Sequence, residues 1–289
     1  MFGKVVCATR IRPRARPSTH PRSEGSRMSD HRLSSVCLVG DRFAAFASHD
    51  NVRTVSQLVA EVGAGAYDTL SGPLLVWEGQ GVTDYEREYV RGALDARGLG
   101  DKLLMQPNDP DPVPRAQVHK HREVNVLLSG LCELSPGRYH AALRLHSDNE
   151  LLLDHQSGEH VQGMVVVEAF RQMFIACCER FTASRQPSRR YYYIWHGMDI
   201  RFERFVFPLD ADIDCTVTDS RTDDPSRLAM TVDLELRQTG HRCAVARIDF
   251  TAHDAERISA KEHVIAARAV TTVLGGAGHE PLASVVSAG

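Results

Sequence analysis

The segment Gly163–Phe181 limits most strongly the folds open to this chain, because as a helix it would be apolar on every side. Such a helix is stable only when other elements enclose it. Apolar and polar residues alternate in Met230–Leu236, a pattern typical of a strand with one buried face. Four strands are predicted after the helix: Tyr192–Phe207, Asp212–Thr218, Leu228–Arg237 and Cys243–Thr251. We therefore expect an α+β fold in which an antiparallel sheet wraps around one long helix.

Two further strands are predicted before this helix, at Glu123–Leu128 and Tyr139–Leu145. The first part of the chain has a different pattern, in which helices alternate with short apolar segments. Its predicted elements are Ser34–Val39, Phe43–Phe46, Leu74–Trp77 and Lys102–Met105 as apolar segments, and Val52–Val62 and Asp84–Ala96 as helices. This alternation predicts a small α/β domain with a parallel sheet. No sequence motif assigns this domain a chemistry.

Proline and charge patterns suggest where the domains begin and end. Residues 107–115 contain four prolines among acidic and amide residues, as linkers do. We expect a disordered extension at 1–28, the α/β domain at 29–106, the linker at 107–115, the second domain at 116–272 and a flexible tail at 273–289. The extension carries seven basic residues against Glu24, so a transit peptide stays open beside an upstream start codon with Met28 as the true start.

Composition excludes several classes of protein. The chain is 43% hydrophobic and 25% charged with a formal net charge of -3, which is ordinary for a globular protein and unlike a disordered chain or a basic nucleic-acid binder. No apolar stretch reaches the roughly 18 residues of a membrane span. The seven cysteines form no C-x-x-C pair, which favours a reduced, cytoplasmic protein.

Three polar residues interrupt the apolar helix. Glu168, Arg171 and Gln172 are spaced by three and four residues, so they share one face and can interact. An ion pair beside apolar surface is costly, and its presence favours a helix face that lines a cavity. The alternative is a Glu168–Arg171 pair at the helix edge, exposed by a subunit boundary, and these residues alone do not decide between the two.

The residues just before the helix add candidate chemistry. His155 and His160 lie in a loop there, and imidazole transfers protons near neutral pH, although each also fits a purely structural hydrogen bond. Gly163 allows a ligand to approach backbone N–H groups at the helix N-terminus, where a developing oxyanion is stabilised. His119 and His121 would point to one side of a strand, a spacing that fits a metal site, but no third ligand is evident and a polar strand edge is favoured.

The run DHQSGEHVQGMVVVEAFRQM, residues 154–173, resembles the hallmark of the A-factor biosynthesis hotdog family, D-H-x-x-G-x-H-x-x-G-M-x-x-x-E-A-x-R-Q. Val118-His119-Lys120 followed by Val124–Leu128 resembles the opening strand motif of the same family. The resemblance covers roughly residues 117–270 and implies a hotdog fold, which is a long helix wrapped by an antiparallel sheet. The familiar members of this family resemble two hotdog repeats joined in a single chain, whereas here one repeat follows an α/β domain. Because a single hotdog repeat usually needs a partner, a homodimer whose sheets join edge to edge is expected.

The resemblance also implies a reaction. Familiar members resemble acyltransferases that join a carrier-protein β-ketoacyl thioester to the hydroxyl of dihydroxyacetone phosphate, in the synthesis of γ-butyrolactone signals. It implies that the partners are an acyl carrier protein or acyl-CoA and a hydroxyl acceptor, with phosphopantetheine arriving on the carrier and no cofactor or metal of the chain's own. The implied catalytic residues are Glu168, Arg171, His155 and His160, and the implied substrate-binding residues are Gly163, Met164, Gln172, His119 and Lys120.

Three alternatives to acyl transfer stay open. A dehydratase of 3-hydroxyacyl thioesters would need the Glu168 carboxylate near the substrate α-carbon together with a loop histidine. A thioesterase would need water in place of the hydroxyl acceptor. A non-catalytic protein would keep the pocket and bind an acyl ligand without turnover.

Overall fold

A computed structural model describes residues 34–106, 111–153 and 159–276. The first sheet is made of β1 (Ser34–Val39), β2 (Val52–Thr54), β3 (Leu74–Glu78) and β4 (Leu103–Gln106). Helix α1 (Val55–Gly63) follows β2, and α2 (Asp84–Ala96) follows β3. The strand order is β2-β1-β3-β4 and every neighbouring pair is parallel, which confirms the predicted parallel sheet.

Both helices of this domain begin at a threonine that caps them. The Thr54 hydroxyl accepts from the backbone N of Gln57, whose side chain accepts from the backbone N of Thr54. Thr83 and Glu86 form the same reciprocal pair at the start of α2. Each pair satisfies two backbone donors that a helix N-terminus otherwise leaves free, so residues within the first turn determine where each helix begins.

The second sheet contains six strands in the order β5-β6-β8-β9-β10-β7, and all neighbours are antiparallel. They are β5 (Leu128–Ser135), β6 (Arg138–Leu143), β7 (Tyr191–Phe202), β8 (Ala211–Arg221), β9 (Arg227–Gln238) and β10 (His241–Asp254). The helices of this part are α3 (Glu150–Leu153), α4 (Gly163–Phe181) and α5 (Ala255–Gly276). Helix α4 has the predicted bounds and packs against the sheet.

The core lies between α4 and the inner face of the second sheet. Alternate residues of β9, from Leu228 to Leu236, are buried against the helix, as the alternating pattern predicted. Phe170 and Phe174 of α4 are fully buried, and Phe174 lies 4.4 Å from Phe250 of β10 between ring centroids. This enclosure explains how a helix that is apolar on nearly all sides is stable in water.

Several local expectations were wrong. The predicted strand Glu123–Leu128 is a 3₁₀ turn at Glu123–Asn125, and the strand begins only at Leu128. The apolar segment Phe43–Phe46 does not form a strand. Phe43 ends one 3₁₀ turn and Phe46 begins the next, and the side chains of both are buried in the core. Residues 111–113, expected in the linker, pair with the start of β5 through Val113 N to Leu128 O at 2.9 Å.

The end of the chain also differs from expectation. Helix α5 extends to Gly276, past the predicted start of a flexible tail at 273. The predicted extension at 1–28 and the rest of the tail lie outside the described residues. Within the part that is described, no helix is both long and apolar enough to cross a membrane.

Candidate functional site

The polar face of α4 forms a connected cluster. Arg171 donates to both carboxylate oxygens of Glu168, from Nε to Oε2 at 2.7 Å and from Nη2 to Oε1 at 2.9 Å. The side chain of Gln172 donates from Nε2 to Oε1 of Glu168 at 3.0 Å. The three residues are thus in contact, as their spacing predicted. Because the Arg171 contact is bidentate, it fixes the plane of the carboxylate as well as its position.

Lys120 reaches the same carboxylate from outside the helix. Its Nζ lies 2.7 Å from Oε1 of Glu168. Lys120 follows a 3₁₀ turn, Arg115–Val118, and His119, whose left-handed backbone (φ 55°) turns the chain there. The two sequence motifs are therefore joined in space, although 48 positions separate Lys120 from Glu168.

These donors decide the ionisation of Glu168. Burial alone raises the pKa of its carboxyl group, but hydrogen bonds from Arg171, Lys120 and Gln172 outweigh burial, and the pKa lies below its ordinary value. The carboxylate is only 17% exposed and Lys120 and Arg171 about a quarter exposed, so water screens the cluster incompletely. Glu168 is ionised at neutral pH, and two cations share its single negative charge.

Gln172 is the most enclosed member of the cluster and has no exposed surface. Its Oε1 accepts from the backbone N of Leu127 at 2.8 Å, and its Nε2 donates to the backbone O of Asn125 at 2.8 Å. The amide therefore takes backbone groups that a strand neighbour would otherwise bind. Two backbone groups of the predicted strand Glu123–Leu128 are thus bound by a side chain and not by a neighbouring strand.

His119 is not part of the Glu168 cluster. Its Nε2 lies 2.9 Å from Oε1 of Glu179, eleven residues further along α4, and its ring meets Tyr193 edge-on at 5.2 Å. The expectation of His119 and His121 on one side of a strand was wrong, because a 3₁₀ turn and a left-handed residue replace the strand. His119 therefore contacts α4 away from the carboxylate that Lys120 binds, and its implied role in substrate binding stays a prediction.

Gly163 and Met164 form the first turn of α4, and Met164 lies one helical turn before Glu168 on the same face. The ring of Phe202 covers Gly163, where a Cβ would lie 3.2 Å from Cζ of Phe202. Met164, Phe202 and Phe205 are all more than half exposed. The helix N-terminus thus opens onto an exposed apolar surface, which suits an acyl chain better than a charged ligand.

The two loop histidines have different outcomes. His160 packs against Phe205, with 5.0 Å between ring centroids, next to a β-bridge between Val161 and Val206. His155 lies in residues 154–158, outside the described part of the chain. A catalytic role for either histidine stays a prediction.

Sequence reasoning missed one site residue. The backbone O of Asn125 accepts from Gln172, and its side-chain Oδ1 accepts from the backbone N of Glu150 at 3.0 Å. Nothing in the local sequence distinguishes this asparagine, because its role depends on two segments that approach it in the folded chain.

A six-stranded antiparallel sheet packed on one central helix, with a polar cluster on that helix, defines a hotdog domain. The chain belongs to the A-factor biosynthesis hotdog domain family, whose family model matches residues 105–254, just over half of the chain. This match confirms the predicted family and fold class, with the small α/β domain preceding the hotdog domain.

Solved structures similar to this chain include three bacterial proteins. The dehydratase heterocomplex ApeI:P from Xenorhabdus doucetiae is 15% identical, with 54% of this chain and 99% of that chain covered and a TM-score of 0.41. A mutant thioesterase from Pseudomonas aeruginosa is 14% identical, with 51% and 96% covered and a TM-score of 0.35. A conserved protein from the same organism is 17% identical, with 48% and 98% covered and a TM-score of 0.35. No curated protein matches the sequence.

Proposed function

We propose that this protein is an acyl-thioester-processing enzyme that transfers a β-ketoacyl group from a carrier-protein thioester to the hydroxyl of a small acceptor. The charge balance of the cluster is the observation that carries this proposal. Lys120 and Arg171 bring two positive charges to the single negative charge of Glu168. The surplus positive charge favours an acceptor with a phosphate group, such as dihydroxyacetone phosphate, which a guanidinium binds in bidentate geometry.

The proposed reaction uses two groups of α4, namely the backbone N–H groups of its first turn and the Glu168 carboxylate. The thioester carbonyl lies at the N-terminus of α4, where the backbone N–H groups of Gly163 and Met164 stabilise the oxyanion of the tetrahedral intermediate. Glu168 accepts the proton of the attacking hydroxyl, the new C–O ester bond forms, and the C–S bond breaks. The leaving thiolate takes up that proton, so the products are the acylated acceptor and a free thiol. No cofactor of the chain's own takes part.

Intact-protein mass spectrometry of a carrier protein loaded with a β-ketoacyl or 3-hydroxyacyl group tests this proposal. We expect the carrier to lose its acyl group only when the phosphorylated hydroxyl acceptor is present. Unloading without acceptor would indicate a thioesterase, and loss of water with retention of the acyl group would indicate a dehydratase. A carrier that keeps its mass under every condition while still binding the protein would favour the non-catalytic acyl binder.

The lowered pKa of Glu168 predicts the pH dependence of the transfer. A base must be deprotonated to accept a proton, and Glu168 stays deprotonated to a lower pH than a free glutamate, whose pKa is about 4.3. With saturating acceptor, so that the ionisation of its free phosphate does not enter, we therefore expect kcat to stay constant as the pH falls from 7 to about 5 and to fall only below the ordinary range of glutamate.

The Lys120→Met variant provides the comparison for this pH profile. Removal of one donor raises the pKa of Glu168, so the acid limb of the profile moves to higher pH. An acid limb near pH 6 to 7 in the kcat profile of the unmodified protein, measured with saturating acceptor, would instead indicate a histidine as the base.

We also infer that two copies of the chain associate through β7. This strand forms one end of the second sheet, and within the described residues only β10 pairs with it. A twelve-residue edge leaves a row of unpaired backbone groups, which a second copy satisfies around a two-fold axis. Light scattering after size-exclusion chromatography is expected to give twice the 32.0 kDa of one chain. A monomeric mass at micromolar concentration would contradict the dimer without affecting the transfer assay.

A further inference from the structure

The backbone groups that bind the buried glutamine of the site are themselves held from behind. We call residues 123–127 the supporting segment and residues 143–152 the outer segment. Arg144 donates from its backbone N to Leu127 O at 2.9 Å, and its guanidinium donates to Val126 O at 3.2 Å. The outer segment therefore lies directly behind the supporting segment and holds its C-terminal end.

A second set of contacts holds the other end of the supporting segment. The side chain of Asn149, which is almost fully buried, donates to Val124 O at 3.1 Å. The backbone N of Glu150 donates to Oδ1 of Asn125 at 3.0 Å. Both backbone groups that bind the site glutamine thus belong to a segment that the outer segment fixes at two points.

The α/β domain binds the outer segment through the loop after β3. Gln80, only 3% exposed, donates from Nε2 to Leu143 O at 3.0 Å and accepts at Oε1 from the backbone N of Leu145 at 2.7 Å. The backbone N of Gly81 donates to Leu145 O at 3.0 Å. One buried side chain of the α/β domain therefore replaces a strand neighbour at the end of β6.

The loop after β1 makes the second attachment. Arg42 donates from Nε to Ser147 O at 2.7 Å and from Nη1 to Leu152 O at 3.4 Å, so it binds one carbonyl before α3 and one within it. This loop contacts the first one closely, because a Cβ on Gly40 would lie 2.2 Å from Gly81 O. The two loops follow neighbouring strands of the parallel sheet and act on the outer segment together.

We propose that the α/β domain positions Glu168, and that Arg42 and Gln80 are its positioning residues. Their hydrogen bonds hold the outer segment, the outer segment holds the supporting segment, and the supporting segment fixes the amide of Gln172 that donates to the Glu168 carboxylate. The inference rests on the proposed function only in taking Glu168 as the reacting group. It gives the α/β domain, to which no sequence motif assigns a chemistry, a defined role in the site.

The test compares Gln80→Ala and Arg42→Ala with Arg91→Ala, an exposed arginine of the same domain that pairs with Glu88 on α2. Hydrogen exchange measured by mass spectrometry is expected to become about tenfold faster in residues 123–127 for the first two variants and to stay unchanged in the control. Carbon-13 NMR of the Glu168 carboxyl group is expected to show a raised pKa in the same two variants, because the Gln172 donor is no longer held in place.

The pattern of hydrogen exchange and the pKa of Glu168 together decide the inference. Faster exchange confined to residues 79–81 and 143–147, with an unchanged pKa of Glu168, would show attachment without positioning and would overturn it. If Arg42→Ala does not fold, Arg42→Lys serves instead, since one ammonium reaches one carbonyl and an intermediate shift is expected. Neither readout needs turnover, so a raised Glu168 pKa in Gln80→Ala would stand even if no acyl transfer were detected.

Discussion

Replacement of Glu168 by glutamine is expected to lower the rate of acyl transfer by about 10²- to 10⁴-fold, the usual contribution of a general base. The amide has nearly the size of the carboxylate, but it cannot accept a proton, and it leaves Lys120 and Arg171 without a negative partner. The carrier-unloading assay by intact-protein mass spectrometry measures this loss. Circular dichroism of the variant is expected to match the unmodified protein, because the change adds no volume to the core.

Glu179→Gln is the matched control for this variant. Glu179 lies on the same helix, is partly exposed and pairs with His119, so its substitution changes the charge of α4 equally without entering the Glu168 cluster. We expect transfer within about threefold of the unmodified protein in the control. A Glu168→Gln variant that is as active as this control would remove Glu168 from the mechanism.

Gln172→Ala is expected to reduce the free energy of unfolding by about 3 kcal/mol. The substitution leaves the backbone N of Leu127 and the backbone O of Asn125 without their partner at a site where Gln172 itself has no exposed surface. A buried backbone group without a partner costs about 1–3 kcal/mol, and contributions in one network do not add fully. Urea denaturation followed by fluorescence measures the change.

Gln186→Ala provides the comparison, because this glutamine lies partly exposed in the loop after α4. A change within about 0.5 kcal/mol is expected there. Equal unfolding energies for the two variants would mean that the supporting segment does not depend on Gln172. Glu168→Gln, by contrast, leaves the bonds of Gln172 to the supporting segment intact, so the two variants separate loss of the reacting carboxylate from loss of the backbone support.

The sequence was sufficient to predict those features that depend on local patterns. The bounds of α4 were predicted correctly because its continuous apolar run can be recognised from the segment alone. The contacts among Glu168, Arg171 and Gln172 were predicted correctly because spacings of three and four residues place side chains on one helix face. The parallel sheet of the α/β domain was predictable from the alternation of helices and short strands. The contact between Lys120 and Glu168 was not predicted, because the family resemblance implied a role for each residue without connecting the two.

The features that were missed depend on contacts between distant segments. Strand β5 was not predicted, because it contains Gly130 in a left-handed conformation and several polar residues. The supporting segment looks like a strand in sequence, but a side chain from α4 takes its backbone groups. The sequence also could not predict whether the pKa of Glu168 is raised or lowered. Burial raises this pKa and Arg171 lowers it, and the hydrogen bonds from Lys120 and Gln172, which come from the folded arrangement, add to the lowering.

The full burial of Gln172 has a consequence for how this protein tolerates mutation. One side chain serves both the packing of the domain and the geometry of the reacting carboxylate. Selection for solubility or thermal resistance alone would therefore tend to preserve this glutamine even in lineages that no longer carry out the reaction. Gln172 is for that reason a poor marker of retained activity among diverging copies of the gene, whereas Glu168 and Lys120, which lie nearer the surface, are informative ones.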